Sequence, residues 1–324
     1  MILPALLVLA VGAAVSGAAF LVLWLDRYTT EPVLRLVLIA LWGVGCSLAF
    51  RLAGPTVGLV VSLDPVLGTP ATLPAAGVLE EVLLAAGLAV LATSHYLEGP
   101  LDGAVYGTVA GLGLAATQGL AVLHGGRVPP DPSVLIFLIL VGAAAVAAVG
   151  AGIGFAKLAL RASLRAPCVL AVVVVAGVAR WLLLRAANWG WSAWGPRNIP
   201  FKIALVVAAA LLLAGMFLGA LALERRVLRQ QLTDEVALGV LPSWVVDVLP
   251  SYRRRIRAVW WRRRDERREI VRLLISLAFR KHRLRWLPEE RARLYGLEVG
   301  RLRQRARKLL ALSGDGDPGP VGEG

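Results

Sequence analysis

Histidine and cysteine are scarce here, with three His and two Cys in 324 residues. Cys46 and Cys168 each stand alone inside an apolar run, and no Cys-x-x-Cys pair exists. That excludes a thiolate zinc site and a disulfide framework. Both read as small apolar residues packed between helices. Lysine is also rare, so Arg dominates the basic residues. No phosphate-cradling Gly-rich loop ending in Gly-Lys occurs, and the Gly-rich stretches are apolar packing material. Ser16, Ser47 and Ser94 have no His within their spans to act as base, which leaves serine-type nucleophilic catalysis without support.

What the chain has instead is apolar length. Hydrophobic residues make up 58% of it and the mean hydropathy is +0.71. A soluble domain could hide that much apolar surface only in a core, and cores do not grow to fit. Several uninterrupted apolar runs of about 20 residues each match the hydrocarbon thickness of a bilayer. The expected fold class is all-α: a polytopic membrane helix bundle of about seven spans with a C-terminal cytoplasmic helical tail. The spans are expected near Leu3–Leu25 (retained, since no basic segment or cleavage site marks a signal peptide), Pro32–Ala53, Leu73–Ser94, a fourth that follows the link Glu98 to Gly103 and ends near Leu123, Val134–Leu158, Cys168–Leu184 and Phe201–Leu223. Residues Gly54 to Pro74 are rich in Gly and Pro and read as a loop with a short membrane-dipping piece around Val57 to Val61. Trp189, Trp191 and Trp194 sit in a Trp- and Gly-rich link, as an interfacial belt would require.

The net charge of +14 gathers after Leu223. Positive segments resist translocation, which places the tail in the cytoplasm of the cell membrane and the N-terminus outside. Three regions follow: a transmembrane bundle over 1–223, a basic cytoplasmic helical tail over 224–312, and a disordered Gly, Pro and acid stretch over 313–324. Within the tail, Ile270, Leu273, Leu274 and Leu277, then Leu284 and Leu287, recur at helical spacing among Arg and Glu. Arg51, near the end of the second span, reads as a snorkelling side chain. The expected partners are the lipid bilayer itself and anionic lipid headgroups along the tail. No nucleic acid is expected, because the tail has no aromatic-basic reading motif.

Glu80 and Glu81 carry the most information about function. A carboxylate at mid-membrane costs about 2.5–3.5 kcal/mol on the insertion scale, so a pair is tolerated only against water, a partner or a metal. Adjacent helical residues point about 100° apart, so both can face one ligand only with help from a kink or a helix junction. If the third and fourth spans form a hairpin turning near Glu98 to Pro100, Glu81 is level with Ala115 to Gln118, and Gln118 is the polar group expected to meet it. Gly103, Gly107 and Gly111 offer a face for close helix packing. These residues alone supply no metal set. Zinc prefers N and S ligands, and His95, 14 residues from Glu81, is about 21 Å away along a helix.

With those residues in place, the chain resembles the PrsW family of intramembrane proteases, within the wider group marked by a Glu-Glu pair. Three segments carry the likeness. They are Asp26-Arg27-Tyr28 through Glu31-Pro32; Glu80-Glu81 with Gly99-Pro100-Leu101-Asp102-Gly103, Tyr106-Gly107 and Gly111-Leu112-Gly113; and Leu232 to Pro242 with Leu277 to Arg285. The resemblance implies Glu80 and Glu81 as catalytic residues, with Gln118, Asp102, Gly103, Gly107 and Gly111 shaping the site. It implies zinc as a cofactor, and cleavage of a membrane-anchored regulatory protein, by activated water. The chain departs from the pattern at Leu84, where the family places Lys or Arg, at Gln118-Gly119, where it has Glu-Asn, and over Gly142 to Gly154, where it carries His. One reading is therefore a peptidase with an eroded catalytic site. The alternative is a non-catalytic membrane scaffold or substrate-binding pseudoprotease. A transporter is a third, since intramembrane carboxylates also relay protons.

Overall fold

The computed structural model describes residues 33–53, 60–63, 70–72, 74–93, 97–124, 132–194, 199–251 and 264–312. In chain order these form α1 (Val33–Ala53), β1 (Val60–Leu63), β2 (Pro70–Thr72), α2 (Pro74–Thr93), α3 (Pro100–His124), α4 (Pro132–Ala159), α5 (Ala162–Trp194), α6 (Ile199–Ala237), α7 (Trp244–Val248), α8 (Arg264–Leu284) and α9 (Glu289–Leu312). Among the described residues, the regular structure is helical apart from the two short strands. Proline opens α2, α3 and α4 and stands second in α6. Its missing N–H falls there among donors that a first turn leaves unpaired in any case, and its fixed φ already suits a helix.

Four of these helices are long and apolar enough to cross a bilayer: Leu34–Ala53, Ser133–Ala159, Ala162–Trp189 and Ile199–Ala237. The protein is accordingly a membrane protein on the length and composition of its helices. The first expected span, Leu3–Leu25, lies outside the described residues. The segments expected as spans around Glu80 and Gly107 are helical, as α2 and α3, but are not among those four.

Two stretches differ from the sequence expectation. Part of the segment read as a loop is an antiparallel ribbon, β1 with β2, pairing Val60 with Thr72 and Leu63 with Pro70. Its strand residues Val60 and Val61 are β-branched, which suits a strand. The Trp- and Gly-rich link is helix as well, for α5 continues through Trp189 to Trp194.

The chain divides into two compact units. The first comprises Met1–Gly154 and Ala166–Gly219. Here α3 is the packing hub. Gly43 of α1 lies so close to the Ala110 carbonyl that a Cβ would overlap it, and Gly113 stands likewise against Ala40. On its other side α3 meets α4 through Gly103 against Gly150, Gly107 against Val146, and Gly111 against Gly142. The pairing descends one helix as it climbs the other, so α3 and α4 are antiparallel. Without a Cβ the two backbones approach closely, which replaces the missing hydrophobic drive between helices in lipid. Further along α4, Val134, Phe137, Leu138 and Val141 pack with Ala187 of α5 and Ala209 of α6. Much of the remaining surface is apolar and exposed, including Leu34, Leu41 and Leu52 on α1 and Ile203, Leu211 and Leu218 on α6. So large an apolar surface suits lipid rather than water.

The second unit comprises Phe155–Arg165 and Ala220–Gly324. At 39 residues, α6 is about 58 Å long, far more than the roughly 30 Å of hydrocarbon. Its polar second half supplies Leu228 and Leu232 to a core shared with Leu241 and Val245, Leu273, Leu274 and Leu277 of α8, and Ala306 of α9. Helix α6 ends in a Schellman turn. Gly239 takes φ +65°, its N–H donates to the Val236 carbonyl, and the Val240 N–H donates to that of Glu235. Only glycine adopts that conformation without strain. The tail helix read from its periodicity is divided: α8 ends at Leu284 and α9 starts at Glu289, just after Pro288.

Candidate functional site

Helices α2 and α5 cross where both carry glycine. A Cβ on Gly77 would meet the Gly177 carbonyl oxygen at 3.2 Å, and one on Gly177 would meet Val78 Cα at 2.8 Å. One turn beyond that crossing, α2 presents Glu80 and Glu81 and α5 presents Arg180. Arg180 Nη2 lies 2.9 Å from Glu80 Oε2, and Arg180 Nη1 donates to Glu81 Oε1 at 3.0 Å. All three side chains are buried, Glu81 completely. Both glutamates thus meet one ligand with α2 unbroken. The planar guanidinium offers separate nitrogens to two carboxylates that leave the helix in different directions.

Helix α1 closes another side. Trp42 stands over Gly87, and its indole N–H donates to the Leu83 carbonyl at 3.3 Å. Further along α1, Arg51 lies within electrostatic reach of Glu80 and Arg180, and Cys46 within reach of Glu80. The site is therefore two carboxylates in contact with one guanidinium, that of Arg180, with the Arg51 guanidinium near enough to feel their charge. Among the described residues, Glu81 Oε2, Arg51 Nη2 and Ser47 Oγ are buried and have no hydrogen-bond partner. The arrangement leaves one spare carboxylate oxygen and one spare guanidinium nitrogen, besides the serine hydroxyl.

The other sequence candidates are placed as follows. Gln118 is buried on α3 and, among the described residues, makes no hydrogen bond to either glutamate. Asp102 stands at the third position of α3, where its Oδ2 accepts from the backbone N–H groups of Glu98, at 2.9 Å, and Gly99, at 3.1 Å. It closes the start of α3 in the manner of the acid in a capping box. Gly103, Gly107 and Gly111 face α4 and set the α3–α4 distance. Arg180 had no assigned role in the sequence reading, although one signal was present. It is a lone charge inside an apolar run, and intramembrane charges pair with one another. Arg51 is part of this cluster rather than only a snorkelling end residue.

The donor set does not suit zinc. No group of three His, Cys, Asp or Glu occurs among the described residues, and a guanidinium already lies against both carboxylates. No family model, curated protein or solved structure matches the chain.

Proposed function

We propose that the chain is a divergent PrsW-like membrane protein of the cell membrane, multi-pass and with its tail in the cytoplasm, that binds a membrane-anchored protein without hydrolysing it. The observation carrying this reading is Arg180. A carboxylate that acts as general base on water needs a free oxygen and room for the water, and Arg180 takes one oxygen of each glutamate at once, while the oxygen this leaves on Glu81 is fully buried. In this reading the Glu pair anchors α2 to α5, and the family's hydrolytic chemistry has been lost together with its His and Glu-Asn positions.

A second reading keeps an intramembrane peptidase, and one atom favours it. Glu81 Oε2 is buried and lacks a hydrogen-bond partner among the described residues, so it is the oxygen that would bind and deprotonate water. The two readings separate on a terminal-residue profile of single-pass membrane proteins in cells carrying wild type or Glu81→Gln. Loss of the binding-only reading follows if any such protein is shortened with wild type and intact with Glu81→Gln. Identical profiles support it. Metal content of the purified protein adds a check: stoichiometric zinc in wild type that disappears in Glu80→Gln and Glu81→Gln would restore metal-dependent hydrolysis.

A further inference from the structure

Helix α9 has a second apolar side that neither glutamate reading uses. A surface helix normally packs one apolar side and turns a polar side to water. The packed side of α9 is plain: Val299 and Ala306 are buried, and Leu302, Leu309 and Leu310 lie against the core shared with α6 and α8. The other side breaks the pattern, for Leu294 is 71% exposed and Leu297 65% exposed. Glu290, Leu294, Leu297 and Arg301 follow at intervals of four, three and four, the spacing of a helix–helix seam. At about 100° per residue they fall within about 60° of one another, roughly opposite Val299 and Ala306.

The order of residues along this stripe points to its occupant. An acid precedes the two leucines and a base follows them. The midpoint between Leu294 and Leu297 is also the midpoint between Glu290 and Arg301. A second copy laid antiparallel across a two-fold axis at that midpoint sets Leu294 against Leu297 and Glu290 against Arg301, each contact made twice. Laid parallel, it would oppose Glu290 to Glu290 and Arg301 to Arg301, which repel. The stripe is complementary to its own reverse.

The two end charges are available for this. Both side chains are exposed, and among the described residues neither forms an ion pair. Their neighbours are engaged within the chain: Arg293 lies 3.7 Å from Glu289, and Arg280 holds Glu298. One acid and one base give the stripe no net charge with which to attract a polyanion.

We infer that α9 is a self-association helix, which pairs antiparallel with α9 of a second copy through Leu294 and Leu297. The leucines supply the attraction, while Glu290 and Arg301 at the two ends fix direction and register. The inference is independent of what Glu80 and Glu81 do. The test is sedimentation velocity of the full chain in detergent over a dilution series, where wild type should dimerise as concentration rises. Glu290→Arg puts two bases on the stripe and Arg301→Glu puts two acids there, so each variant alone should associate several-fold more weakly. An equimolar mixture of the two should regain the wild-type constant, because every base then meets an acid on the other copy. Two misfolded chains could not recover on mixing, which separates a lost contact from a lost fold. Leu294→Gln combined with Leu297→Gln should abolish the dimer. A wild type that stays monomeric at every concentration would overturn the inference and leave the stripe to a different protein or to lipid. Dimers that neither charge reversal weakens would also overturn it, as would weakened variants that their mixture does not restore.

Discussion

Arg180 Nη1 stands 3.0 Å from Glu81 Oε1, a contact that joins two apolar helices through residues 99 apart in the chain. Taking three charges out of water is expensive, so the cluster is weak evidence of net stability, but breaking it is another matter. Arg180→Gln would strand two buried carboxylates, and its expected cost is about 3–5 kcal/mol. The triple replacement Glu80→Gln, Glu81→Gln, Arg180→Met removes these three charges together and leaves only Arg51, so it should be much milder than Arg180→Gln alone. Thermal unfolding in detergent measures both. Arg180→Gln as stable as wild type would mean that the ion cluster does not hold α2 to α5.

The glycines of α3 divide those that set a helix distance from those that do not. A Cβ on Gly111 would meet the Gly142 carbonyl at 2.6 Å, and backbone cannot move aside as a side chain can. Gly111→Ala should therefore destabilise by about 1–3 kcal/mol, the usual cost of overpacking. On α6, Gly215 has no atom within 4 Å of such a Cβ. Gly215→Ala should be neutral, or should stabilise by up to about 1 kcal/mol through helix propensity. Matched thermal shifts of the two variants decide the point.

Much of this architecture can be read from the residues alone. Apolar runs and helix-opening prolines mark most of the helices, and Glu80-Glu81 stands out because two charges interrupt such a run. The partner was harder to read. Arg180 and Arg51 are as visible as the glutamates, but which helices meet is decided by tertiary contacts such as Gly77 on Gly177, which no local pattern announces. The ribbon was missed because Gly and Pro dominate its segment, and strand pairing depends on a partner several residues away. The break at Pro288 was hidden by an apolar periodicity that resumes on the far side.

His282 should make the second unit acid-sensitive. Burial, and then the positive charge of Arg285, push its imidazole below the ordinary value of 6.5. A base with a depressed folded pKa prefers to be neutral in the folded state. The unfolded chain therefore binds more protons as pH falls through 6.5, and stability is lost from there down to the folded value. Gln231 Nε2 and His282 Nδ1 stand 3.4 Å apart, a contact that an imidazolium, with both nitrogens protonated, cannot accept. Melting temperature should fall as pH is lowered from neutral toward about 5, and His282→Gln should flatten that slope. An unchanged slope in the variant would assign the acid sensitivity to other groups.

The strongest grip within that unit is on Glu235. Arg303 reaches it with both ends of its fork, Nε to Oε2 at 2.7 Å and Nη2 to Oε1 at 2.5 Å, while Lys281 Nζ lies 2.9 Å away. The carboxylate is almost fully buried, so solvent screens little of this charge, unlike that of the exposed Arg293–Glu289 pair. Glu235→Gln would leave Arg303 and Lys281 facing an amide, and should cost about 3–5 kcal/mol, whereas Glu289→Gln should cost less than about 1 kcal/mol. Arg303→Lys keeps the charge but loses the paired hydrogen bonds, so an intermediate loss is expected. Hydrogen exchange localises the effect. In Glu235→Gln the amides of α8 and α9 should exchange faster while those of α3 and α4 stay protected, because the carboxylate ties α6 to α8 through Lys281 and to α9 through Arg303. Faster exchange spread evenly over both sets would instead mean that the two compact units unfold as one.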